Sequence, residues 1–181
     1  MPWWVFCAGT VALAWVSRAA LARPQSHGFY RFFAFEAILA LVVLNFPVWT
    51  QDPCRPLQLL SWTLLAVSIG LVLHALRLLL RHGQPTAQRT EPELFAFERT
   101  SALVTSGVFA HIRHPMYTSL LLLAWGAFLK APSWFELGLA TLASVCLWLT
   151  ALRDEAECRA HFGEAYVRYM ARTKRFVPWL L

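Results

Sequence analysis

Apolar residues run through this 181-residue chain in blocks rather than in alternation. Three blocks, 3–21, 32–50 and 57–80, each hold about the 20 residues that a helix rising about 1.5 Å per residue needs to cross a hydrocarbon core of about 30 Å. A fourth block, 115–153, is too long for one crossing and is interrupted at Lys130-Ala131-Pro132-Ser133, so it reads as a tight hairpin of two helices. The pattern predicts an all-α, polytopic membrane protein. It has about five transmembrane helices, spans four and five forming the hairpin, in a single domain over 1–181.

Two stretches depart from the blocks. Residues 81–113 form the longest polar connection, opening with Arg81-His82-Gly83-Gln84-Pro85 and continuing through Glu91-Pro92-Glu93. It turns apolar again around Leu94-Phe95-Ala96-Phe97 and Leu103-Val104. So long a connection in a compact chain is more often functional than idle; the alternative is a disordered loop. The tail, 154–172, places Cys158, Phe162, Ala165, Tyr166 and Tyr169 at three- and four-residue intervals, which predicts an amphipathic helix. It suits a lid on a site as well as a peripheral membrane anchor. Gly163 inside it costs about 1 kcal/mol against alanine and marks close packing or a kink.

Composition agrees with the blocks. Hydrophobic residues make up 58% and charged residues 14%, against roughly 45–50% and 25% in soluble domains. Fourteen of the sixteen Lys and Arg fall in the first loop, the third loop or the tail, leaving Arg55 and Lys130 on the other side. Because cytoplasmic loops retain basic residues, this bias predicts the N-terminus outside and the C-terminus in the cytoplasm, in the inner membrane if the chain is bacterial. The net charge of +6 is spread over loop edges facing anionic lipid, so membrane lipids rather than nucleic acid are the expected partner. The N-terminal block has its arginines after the apolar run, the reverse of a cleaved signal. Cys7, Cys54, Cys146 and Cys158 show no metal or redox spacing and read as buried, inert thiols.

Candidate chemistry gathers at two block edges. Arg113-His114-Pro115-Met116-Tyr117 puts two potential cations and a helix-starting proline at the entrance of span four. Free backbone N–H groups at such a helix start, with Arg113 and His114, form an anion site. An ordinary basic flank with an interfacial tyrosine has the same composition. Asp154-Glu155 leave span five at the expected same membrane face, where capping beside Arg153 is the plain alternative. Opposite charges at neighbouring helix ends suit a small zwitterion such as S-adenosylmethionine. Glu36, placed to pair with Arg31, and His74 and Arg77 are intramembrane ionisable residues that line a polar pocket or serve structure. Glu98 and Arg99 rank below them. His111 and His114 lack a third ligand, so no metal is expected.

With these residues, the second half of the chain resembles the isoprenylcysteine carboxyl methyltransferase (ICMT) family of integral-membrane methyltransferases, whose motifs are similar to those of phospholipid N-methyltransferases. The resemblance runs from Leu103-Val104-Thr105-Ser106-Gly107 through Arg113-His114-Pro115-Met116-Tyr117 and resumes at Asp154-Glu155, Phe162-Gly163, Tyr166, Tyr169 and Pro178. It implies S-adenosylmethionine as cofactor, held on the cytoplasmic side by Ser101, Ala102, Leu103, Val104, Phe109, His114, Pro115, Met116, Tyr117, Asp154 and Glu155. Arg113, Tyr117 and Glu155 are the residues expected to serve catalysis: Arg113 as an anion holder, Tyr117 as a positioning group, Glu155 as a partner for the cofactor's cationic or hydroxyl groups. A lipophilic acceptor would enter from the bilayer. Carboxyl O-methylation is the leading expectation; lipid amine N-methylation, a nicotinamide-dependent reductase and a non-enzymatic assembly factor are the alternatives. Phe109 stands where the family has tyrosine, Asp154 where it has glutamate, and Thr150 where the eukaryotic enzymes carry an acceptor-side arginine.

Overall fold

The computed structural model describes residues 3–84 and 94–179. Arg89 and the Pro85 and Glu91-Pro92-Glu93 portions of the long connection lie outside them. Among the described residues every regular element is a helix: α1 (Trp3–Val16), α2 (Arg18–Leu21), α3 (His27–Asn45), α4 (Pro56–His82), α5 (Pro115–Phe128), α6 (Trp134–Phe162) and α7 (Glu164–Arg172), with short 3₁₀ turns between.

Among the described residues, three segments are long and apolar enough to cross a membrane: His27–Val48, Pro56–His82 and Trp134–Phe162. α1 and α5 are shorter, at 14 residues each, or about 21 Å. The first apolar block is cut at Ser17, whose φ of −92° and ψ of 6° leave the helical region. α5 is bounded by Pro115 at its first position and by the turn Leu129–Ser133 before α6. Ser133 caps α6 by accepting a hydrogen bond from the Glu136 N–H.

Two boundaries differ from expectation. α3 starts at His27, five residues before the apolar block, so His27 and Arg31 lie inside the helix. α6 does not end at Asp154: nothing from 153 to 162 breaks a helix, and it runs on to Phe162. It stops at Gly163, whose φ of +57° and ψ of −136° suit glycine alone. A Cβ at Gly163 would meet nothing within 4 Å, so backbone conformation and not close packing places glycine there.

The helices associate through small and polar residues, as expected where apolar contact alone gives no preference for helix over lipid. α3 lies along α6, and α4 along α5. Ala37, Ala124, Ala127, Ala140 and Ala143 pack around Ile38 and Leu41 in the central core. Ser61 and Ser68 of α4 donate to the Gly126 and Ser119 carbonyls of α5, each at 2.7 Å. Large apolar side chains such as Leu59, Ile69, Val145 and Phe135 are left on the outside, a surface suited to lipid. Of the cysteines only Cys146 is buried; Cys7 and Cys54 are exposed and Cys158 is half-buried.

Candidate functional site

The start of α3, the end of α4, the start of α5 and the C-terminal end of α6 converge on one cavity of about 820 Å³, counting the open space at its mouth.

The Arg113–Tyr117 segment forms one wall. Pro115 begins α5 with no N–H to satisfy. The two residues before it are zipped to the tail: the Arg113 and His114 N–H groups donate to the Lys174 and Arg175 carbonyls at 2.8 and 3.1 Å. The expected anion site at this helix start therefore loses two of its donors. The Arg113 guanidinium is also committed, through Nε to Glu155 Oε1 at 2.9 Å and through Nη1 to the Met170 and Thr173 carbonyls. Arg113 borders the cavity, but as a brace rather than a free anion holder.

The acidic pair does meet the basic segment. Asp154 and Glu155 are successive on α6, so they point about 100° apart and divide the work. Glu155 is turned inward, its side chain 4% exposed. It gathers Arg113, His114 Nε2 at 3.2 Å, and Arg175 through Nε and Nη2 at 3.0 and 2.8 Å. Asp154 faces the cavity, where it accepts a hydrogen bond from the Tyr117 hydroxyl at 2.9 Å and lies 3.5 Å from His114 Nδ1. The His114 and Tyr117 rings stack at 5.2 Å. Burial alone would lower the His114 pKa, but Asp154 and Glu155 outweigh it and hold the imidazole above its ordinary value.

The loop and tail complete the walls. Gly107, at φ +60° with its Cα side pressed on Leu78, turns the chain so that Phe109 is buried against Ala75 and Val104. Leu103, Val104, Phe109, Pro115 and Met116 give an apolar and aromatic side. Cys158 and Phe162 of α6 and Tyr166 and Tyr169 of α7 line the opposite side, with the Tyr169 hydroxyl donating to the Phe109 carbonyl at 2.7 Å. Burial raises the pKa of both tyrosines, keeping them neutral donors.

Among the residues expected at a cofactor site, Leu103, Val104, Phe109, His114, Pro115, Met116, Tyr117 and Asp154 border this cavity. Ser101, Ala102 and Glu155 do not. The Ser101 and Ala102 N–H groups are spent on the Gly83 carbonyl, pinning the loop to the end of α4, and Glu155 sits behind Asp154. His74 and Arg77 lie on the exposed face of α4. Glu36 accepts from Thr10 Oγ1 at 2.8 Å, while Arg31 pairs with Glu98. Sequence reasoning missed His27 and Glu157, which border the cavity, and ranked Glu98 too low. Their signal was available in one respect only: a histidine and an arginine one turn apart ahead of an apolar block.

A family profile for phospholipid methyltransferases matches residues 57–165, more than half of the chain. The chain belongs to the phospholipid methyltransferase family. This is the family of ICMT-like membrane methyltransferases, so the motif resemblance and the profile agree. No curated protein and no solved structure matches the chain significantly. Membership makes the chain a membrane methyltransferase and places most of the cavity wall, from Leu79 to Phe162, within the matched segment.

Proposed function

We propose that the protein binds S-adenosylmethionine in this cavity and methylates a lipophilic acceptor. The observation that carries the reading is the meeting of Asp154, Tyr117 and His114 at one wall of a cavity whose other wall is aromatic and aliphatic. A charged amino-acid moiety and a flat heterocycle joined in one molecule fit that division. Asp154, with Glu98 and Glu157 nearby, would hold cationic or hydroxyl groups; Phe109, Val104, Leu103 and Met116 would cover the heterocycle. When bound, S-adenosylmethionine supplies a methyl group on a sulfonium, which is already activated for transfer.

The chain's own residues then have three tasks. Tyr117 and His114 fix the Asp154 carboxylate, one by a hydrogen bond and one by charge. Arg113 and Glu155 act behind that wall as positioning residues, tying α5, α6 and the tail together. The tyrosines of α7, with Phe162, cover the cavity and exclude water, which strengthens every charge interaction inside. Alignment of nucleophile and methyl carbon within about 3–3.5 Å is the main remaining requirement.

Five crossings are proposed, α1 with α2 and the shorter α5 included, with the cavity and C-terminus in the cytoplasm. The ends that carry most of the basic residues are the ends that carry the cavity, whereas Arg55 and Lys130 belong to the opposite end. For the acceptor, the geometry favours a lipid amine over a carboxylate. Glu98, Asp154 and Glu157 all border the cavity, and they would repel a carboxylate acceptor. Thr150 is fully buried with its hydroxyl donating to the Cys146 carbonyl at 2.7 Å, so it supplies no cation. Arg153 lies outside the cavity beside the Tyr30 ring. Incubating membranes with a methyl-labelled donor tests the reading: label in an amine-bearing lipid fraction supports it, and base-labile label on protein returns the acceptor to a carboxyl group.

A further inference from the structure

The family match begins at residue 57, yet one residue in the cavity wall comes from well before it. His27 opens α3 and is 1% exposed. Its backbone N–H donates to Glu157 Oε1 at 2.9 Å and its Nδ1 lies 2.6 Å from Glu157 Oε2, so one residue grips both oxygens of that carboxylate. One turn on, Arg31 Nη1 lies 3.3 Å from His27 Nε2 and pairs with Glu98. Facing a carboxylate at 2.6 Å, Nδ1 carries a proton directed at Glu157. The Arg31 guanidinium also covers the Phe95 ring, 4.0 Å from its centroid.

The result is an alternating chain, Glu157–His27–Arg31–Glu98, running from α6 through α3 to the turn at Ala96–Glu98. Its two inner members, His27 and Arg31, are at most 5% exposed, while Glu98 and Glu157 are 17% and 31% exposed. Both carboxylates border the cavity. A staple between α3 and α6 would not need this arrangement, because those helices already join through closely packed alanines. Buried charge pairs are moreover poor stabilisers beside apolar contacts.

We infer that His27 and Arg31 are positioning residues for the ligand cavity: they fix Glu157 and Glu98 as an anionic wall that receives a cationic or hydrogen-bond-donating group of the ligand. This rests on the methyl-donor reading of the cavity. It assigns a ligand-binding task to a helix outside the family segment, so chains that share that segment need not share this wall.

The test is titration of the full-length protein in detergent with S-adenosylhomocysteine, comparing wild type with His27→Asn, His27→Gln and His27→Ala. An asparagine amide nitrogen overlays Nδ1 and a glutamine amide nitrogen overlays Nε2. His27→Asn is expected to stay within about threefold of wild-type affinity, while His27→Gln and His27→Ala lose about tenfold or more, the loss of one hydrogen bond to a charged group. Glu98→Gln, which keeps the shape and removes the charge, is expected to lose affinity as well, and it serves where His27→Ala does not fold. Equal affinity across all variants, or rescue by glutamine and not asparagine, overturns the inference. A wild-type protein that binds no S-adenosylhomocysteine overturns the cavity reading itself.

Discussion

Glu155 collects three cationic side chains with one carboxylate, and that concentration makes it the residue on which the site's framework depends. Replacing it with alanine leaves Arg113 and its neighbours without their carboxylate, a loss that typically costs about 3–5 kcal/mol where the charges are buried. Thermal unfolding of Glu155→Ala in detergent is therefore expected to show a large fall in Tm; a shift no greater than that of an exposed acidic residue would contradict the assignment. Tyr117 makes the opposite kind of contribution. Tyr117→Phe keeps the ring that stacks on His114 and removes only the hydroxyl that donates to Asp154. Its stability is expected to stay near wild type while affinity for S-adenosylhomocysteine falls about tenfold or more, the range for one hydrogen bond to a charged acceptor. The chain itself announced Arg113, His114, Tyr117 and Asp154 as a group, because opposite charges at two block edges are rare enough to notice. It could not announce that Arg113 and Glu155 would neutralise each other, since the one-position difference between Asp154 and Glu155 decides which carboxylate faces the ligand only once the helix phase is known.

At the scale of elements, Gly163 separates a helix that crosses the apolar core from one that covers the cavity. Its positive φ allows α7 to turn under the site, so Gly163→Ala is expected to destabilise the protein by about 1 kcal/mol or more and to loosen ligand binding. Unchanged Tm and affinity would mean that α7 can reach its place without that bend. The apolar blocks made α3, α4 and α6 legible, because length and hydropathy suffice there. Their ends were less so. Asp154-Glu155 suggested a helix exit, but charged residues continue a helix as readily as apolar ones, and only glycine stopped it. Taken singly, His27 stands out by no local pattern and Arg31 reads as a partner for Glu36, because the true partners, Glu157 and Glu98, lie 130 and 67 residues away. The backbone pairing of Ile112–His114 with Lys174–Arg175 is equally non-local, and no periodicity reports it.

For the molecule as a whole, charge state links folding and site. His114 is held above its ordinary value of 6.5, burial being outweighed by Asp154 and Glu155. Its contribution to stability is complete below that value and is lost as pH rises through the raised pKa. Glu98 is held below its ordinary value of 4.5, burial being outweighed by Arg31 and His27. Its contribution is complete above that value and is lost as pH falls through the lowered one. Tm is therefore expected to be highest between these limits and to decline on both sides; a Tm flat from the acid to the alkaline side would contradict this coupling. The bundle thus places its polar chemistry at one end, beneath an apolar body open to lipid, as a membrane methyltransferase requires. The most direct test is calorimetric titration of the purified protein with S-adenosylhomocysteine, beside Asp154→Asn. Saturable binding by the wild type, weakened about tenfold or more in Asp154→Asn with the helical spectrum unchanged, is the predicted result. No binding by the wild type, or equal binding by both proteins, would contradict the account.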